Sequence, residues 1–167
     1  MGTDVSIGEV TIKYDGIFSF KDAYELLHNL LDDKSYSINE TEYKEAQKPK
    51  GKEIEITWEA SKKVDDYTKF KIKIKWKVDS LVEVTVKQGD ETLNKNKGKI
   101  KIKFSATLIK DYDDKWKTPM LKLMQGMFEK YIYGSTLKQW KSTLSKEMYD
   151  LYNEMKAFFD VEKLANE

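Results

Sequence analysis

Cysteine is absent from this chain, which excludes disulfides, thiolate nucleophiles and cysteine-held metals. Arginine is absent as well: all 30 basic side chains are lysines. The chain therefore lacks the guanidinium fork that recognises phosphate, carboxylate or guanine in bidentate fashion, which argues against a nucleic-acid partner. Charge of one sign is lacking too, since 29 acidic residues leave a net charge of +1 and no global field to gather a polyanion. No run approaches the ~18 apolar residues of a membrane span, and the polar opening Met1–Gly8 has no apolar signal-peptide core. These two absences predict a cytoplasmic chain with no membrane span. Phosphate loops, the H-E-x-x-H zinc pattern and the G-x-S-x-G elbow are missing, so no cofactor, metal or catalytic residue is assigned and an enzyme gains no support. The lone histidine, His28, has no positioned partner in the sequence and reads as a half-exposed helix residue. A myristoylation match at Met1–Ser6 and a glycosylation match at Asn39-Glu40-Thr41 are short patterns frequent by chance.

What is present is a folded-domain composition: 167 residues, 40% hydrophobic and 35% charged, suited to one domain over 1–167 with a charged surface. Its most legible stretch is Lys69–Val78, where Phe70, Ile72, Ile74, Trp76 and Val78 alternate with lysines in the period of a strand with one dry face. Similar alternation predicts a strand over 8–14, and an antiparallel sheet over 36–110 that includes a polar edge strand after Tyr36. Between them Ser19 caps a helix over 19–32, with Phe20, Ala23, Tyr24, Leu27, Leu30 and Leu31 on one stripe. Charge matching proposes the sheet register. Glu55 is set opposite Lys73, Glu59 opposite Lys69 and Trp58 opposite Phe70. A turn at Asp79-Ser80 is expected to set Trp76 opposite Val84, and a loop over Gln88–Gly98 to bring Glu83 opposite Lys103.

Thr118-Pro119 then starts a C-terminal helical region over 118–163, either two helices meeting at Gly134 or one helix kinked there. Its first part carries Met120, Leu121, Met124, Phe128, Tyr131 and Ile132. Its second carries Leu137, Trp140, Leu144, Met148, Leu151, Met155 and Phe158. Asp111, Asp113 and Asp114 sit at the end of the last strand, expected beside Asp79 and away from Asp65-Asp66. They suit a turn and helix entry better than a Ca²⁺ loop, whose spacing they do not match. The lysine face is read as a solvated face that resists wrong pairing.

The order strand, helix, antiparallel strands, long terminal helix resembles the helix-grip fold of the START-like superfamily, which includes polyketide cyclase-like proteins. The fold class is thus α+β, an antiparallel meander wrapped on a long C-terminal helix. The resemblance implies a cavity between sheet and helix for an apolar small molecule or lipid, lined here by Trp58, Phe70, Trp76, Phe104, Met124 and Phe128. The residues themselves leave that interface open between a solid core and a pocket. They also leave open a second function, a protein-interaction or self-association module using the C-terminal helix after Gly134.

Overall fold

The computed structural model of the chain describes residues 2–166. Its elements run β1 (Thr3–Phe18), α1 (Phe20–Asp33), β2 (Ser37–Lys48), β3 (Gly51–Lys63), β4 (Thr68–Gln88) and β5 (Glu91–Lys110). A 47-residue helical region follows: α2 (Pro119–Phe128), a π-helical turn (Glu129–Tyr133) and α3 (Gly134–Ala165). The strands form one open antiparallel sheet in the order β1-β5-β4-β3-β2, so the first strand pairs with the last and β2 is an edge. The fold is α+β, as the hydrophobic periods require.

Both helix starts follow from capping chemistry. The Ser19 hydroxyl accepts from the Asp22 N–H, and the Thr118 hydroxyl accepts from the Leu121 N–H, with Pro119 at the first helical position. Alternation then decides which side chains are buried. Ile54, Ile56, Trp58 and Ala60 of β3, with Phe70, Ile72, Ile74, Trp76 and Val78 of β4, are all buried on the inner face. α1 covers one half of that face: Tyr24 packs edge-on against Trp58 at 4.9 Å, and Trp58 against Trp76 at 5.3 Å. α3 covers the other half with Leu137, Leu144, Met148, Leu151, Met155 and Phe159, all buried.

The register keeps the expected faces but not the expected pairs. Glu55 lies opposite Lys77, Glu59 opposite Lys73 and Trp58 opposite Ile74. The turn is centred later than charge matching placed it, because the Asp65 carboxylate accepts from the Tyr67 and Thr68 N–H groups at 2.8 and 2.7 Å and closes the chain there.

A larger correction concerns Asp79-Ser80, which is not a turn. β4 runs straight through it as a bulge, with Ser80 at φ 57° and both Ser80 and Leu81 facing Gly98. Glycines on the two neighbouring strands make the space. A Cβ on Gly51 would meet the Ser80 carbonyl carbon at 2.7 Å, and one on Gly98 would meet the Asp79 oxygen at 3.0 Å. Trp76 therefore faces Ile102, not Val84, and Glu83 faces Asn96, not Lys103. The segment expected to be the loop Gln88–Gly98 is instead a two-residue turn at Gly89-Asp90 followed by strand.

Removing a turn reverses which loops share an end of the sheet. The Asp65 turn and the segment after Lys110 lie together, since Thr68 pairs with Lys110, and Asp79 lies mid-sheet. The true register also sets Lys13, Lys101 and Lys77 directly opposite one another across β1, β5 and β4, a like-charge row that meets an acid only at its β3 end, where Glu55 lies opposite Lys77.

In the helical region α2 runs into α3 through the π turn that ends at Gly134. A π turn inserts one extra residue before Gly134, where a Cβ would stand 2.7 Å from the Glu129 carbonyl oxygen. Gly134→Ala is thus expected to lower stability by about 1–3 kcal/mol, against the usual helical gain of about 1 kcal/mol for this exchange. A thermal melt checks the sign.

Candidate functional site

The extra residue of the π turn decides which face of α2 looks inward. Counting back from the buried Leu137 in whole helical turns reaches Lys130 and Gly126. One inserted residue moves the inward positions to Glu129 and Gln125. Gln125 is the buried residue of α2, and Glu129 is mostly enclosed.

The underside of α2 is therefore polar and hydrogen-bonded. Lys110 Nζ at the end of β5 donates to Glu129 Oε1 at 2.5 Å, and the Tyr67 hydroxyl donates to Glu129 Oε2. Gln125 Nε2 donates to the Tyr67 hydroxyl at 2.6 Å and to Glu129 Oε2 at 3.1 Å. One residue group away, Asp65 Oδ2 accepts from the Tyr133 hydroxyl and from Trp140 Nε1 at 3.0 Å, while Thr68 and Tyr133 share a hydroxyl bond at 2.6 Å. The Tyr112 hydroxyl closes the set on the Asp65 carbonyl at 2.8 Å.

Electrostatics make this network a clamp. Burial pushes the Tyr67 hydroxyl up, and its bond to Glu129 pushes it further. Tyr133 is pushed up to about 12 by burial and by its bond to Asp65. Burial works to raise Glu129, but the Lys110 ammonium and the Tyr67 hydroxyl outweigh it and hold the carboxyl below its ordinary value. Asp65 is held low in the same way, burial being outweighed by Tyr133, the Tyr67 and Thr68 N–H groups and Trp140. The tyrosines stay protonated and the carboxylates ionised, each already satisfied. Such groups position a helix.

With the polar side inward, the apolar stripe of α2 faces out. Met120, Leu123, Met124, Met127, Tyr131 and Ile132 are each between 50% and 74% exposed. Trp116, Met124, Met127, Phe128, Tyr131 and Ile132 line an open groove of about 350 Å³. The floor is rigid: Phe128 stacks on Tyr133 at 5.5 Å and meets Tyr67 edge-on at the same distance, with Trp116 at 5.9 Å. Trp116 itself is placed by Asp111, whose buried carboxylate accepts from the Lys115 and Trp116 N–H groups at 2.7 and 3.1 Å.

The six residues expected to line a cavity are thus divided. Trp58, Phe70, Trp76 and Phe104 are at most 1% exposed, with Phe70 against Trp140 of α3 at 5.7 Å and Trp76 against Phe20 of α1 at 6.0 Å. Met124 and Phe128 lie outside that core, in the α2 groove. The helix after Gly134, expected as an interaction surface, supplies much of the core. His28 lies edge-on to Trp58 at 5.9 Å.

Sequence reasoning missed Asp65, Tyr67, Lys110, Gln125, Glu129 and Tyr133 as a unit, because the supposed Asp79 turn put their loops at opposite ends. The signal available was the polar pair Gln125 and Glu129 at i, i+4 on the face opposite the methionines. No group of three or more metal-ligating side chains occurs among the described residues, and no described helix is long and apolar enough to cross a membrane. No family model, curated protein or solved structure matches the chain.

Proposed function

We propose that this chain is a non-enzymatic binding module for an apolar or amphiphilic partner, met at the outward face of α2. One observation supports this reading: the most apolar part of the helical region is held away from the core by satisfied polar contacts. Exposed contiguous apolar patches beyond a few hundred Å² are uncommon on monomeric proteins and mark binding surfaces. Methionines suit such a surface, because their flexible thioethers adapt to the shape they meet.

The START-like resemblance supports the reading at the level of architecture only, through β1 returning to pair with β5 and a long C-terminal helix on one face. In this proposal Met124 and Phe128 keep their binding role, and Trp58, Phe70, Trp76 and Phe104 serve as the rigid core behind it.

Titration with the neutral fluorescent probe N-phenyl-1-naphthylamine tests the reading. The wild type is expected to enhance its emission, and the double substitution Met127→Ser with Ile132→Ser to weaken binding at least about five-fold. Both side chains are exposed, so the melting curve is expected to move by no more than about 0.5 kcal/mol. Undiminished probe binding by the double variant, or none by the wild type, overturns the proposal.

A further inference from the structure

The α2 face has a rim as well as a stripe, and the rim carries more positive than negative charge. Lys115 and Lys117 flank Trp116 in the chain and Lys130 lies 5.3 Å from the Tyr131 ring; all three are exposed, and none forms a salt bridge to a described residue. The one carboxylate of the helical segment, Glu129, is turned inward onto Lys110. Asp113, exposed, and Asp114, part-exposed, offset lysine charge at the loop end.

Building on the binding face proposed above, we propose that its partner is an anionic lipid bilayer surface, with α2 lying in the plane of the headgroups.

Three features favour a lipid surface over a second copy of the chain. A two-fold contact would set this patch on itself and bring one excess of lysines against another. An anionic surface instead meets stripe and rim together, apolar residues entering the acyl boundary while lysines stay among the phosphates. Tyr131, an exposed aromatic with a polar edge, belongs to the stripe, the chemistry found at membrane–water boundaries. The stripe from Met120 to Tyr131 spans roughly 16 Å, enough to lie along a surface and far short of the ~30 Å hydrocarbon layer. The clamp of Lys110, Tyr67, Gln125 and Glu129 holds the helix in this orientation before any membrane is met, so little ordering is required on contact.

Co-sedimentation of the full chain with vesicles provides the test. Vesicles of about 30% phosphatidylglycerol in phosphatidylcholine are expected to bind at least about ten-fold more tightly than phosphatidylcholine alone, with most of the difference lost at about 0.5 M salt. Lys115→Glu with Lys130→Glu should remove the anionic preference, and Leu123→Asp with Met127→Asp should abolish binding to either vesicle. Trp116 should move to shorter-wavelength emission on binding, a shift absent from Trp116→Phe.

Equal affinity for both vesicles, or binding indifferent to the four substitutions, overturns the proposal. So does an absence of vesicle binding: if naphthylamine binding persists and still depends on Met127 and Ile132, the binding face stands and its lipid partner falls. Dimerisation through this face in sedimentation velocity, without vesicle binding, assigns it to a second copy instead.

Discussion

A chain ending at Tyr133 is expected not to fold. α3 contributes Leu137, Leu144, Met148, Leu151, Met155 and Phe159 to the buried interior, and no other element covers the half of the sheet they occupy. At about 1.5–3 kcal/mol each, their burial is worth roughly 9–18 kcal/mol, an upper bound because the unfolded chain already buries some apolar surface. That equals or exceeds the whole stability of an ordinary domain, about 5–15 kcal/mol. Two part-buried ion pairs go with it, Lys62 with Glu147 at 2.7 Å and Lys95 with Glu162 at 2.9 Å. Circular dichroism of the truncated chain should show no cooperative melt. A sharp transition near that of the full chain would mean that the sheet and α1 suffice, and the account of the core given above would fail.

The second large effect is expected from Asp65→Ala. One carboxylate serves four donors at once: the N–H groups of Tyr67 and Thr68 on Oδ1, and the Tyr133 hydroxyl and Trp140 indole on Oδ2. Removing it leaves partly buried donors without acceptors, at about 2–4 kcal/mol in total, or a fall in melting temperature of roughly 5–15 °C. Asp65→Asn does not rescue the site, because its NH₂ would face either two backbone donors or two side-chain donors. The pH dependence has a definite sign. Because Asp65 titrates lower in the folded chain than its ordinary value of about 3.9, its contribution is complete above that value and disappears as pH falls through the lower folded-state one. The gap between wild type and Asp65→Ala should therefore be constant from about pH 5 upward and close below about pH 4. A gap that persists in acid would mean that the carboxylate acts through its shape and not its charge.

Much of the chain was legible because local rules and the global fold agree in it. The caps at Ser19 and Thr118 and the inner-facing set Ile54 to Val78 each rest on chemistry within a few residues. Pairing was less legible. Period-2 alternation determines which face a side chain takes, but any even shift preserves the pattern. The shift was settled by the Asp65 turn and by the Ser80 bulge, whose room comes from Gly51 and Gly98 on other strands.

The binding face shows the same division most plainly. The sequence by itself determined that a methionine-rich amphipathic segment follows Pro119, that its apolar residues share a stripe, and that α3 carries a second stripe in phase with a core. It could not determine that the first stripe points to solvent. That was decided by one inserted residue in the π turn, which rotates Gln125 and Glu129 inward, and by partners from Tyr67 and Lys110 that lie far away in sequence. Periodicity records which residues lie together on a helix; only the groups packed against that helix decide which way they face.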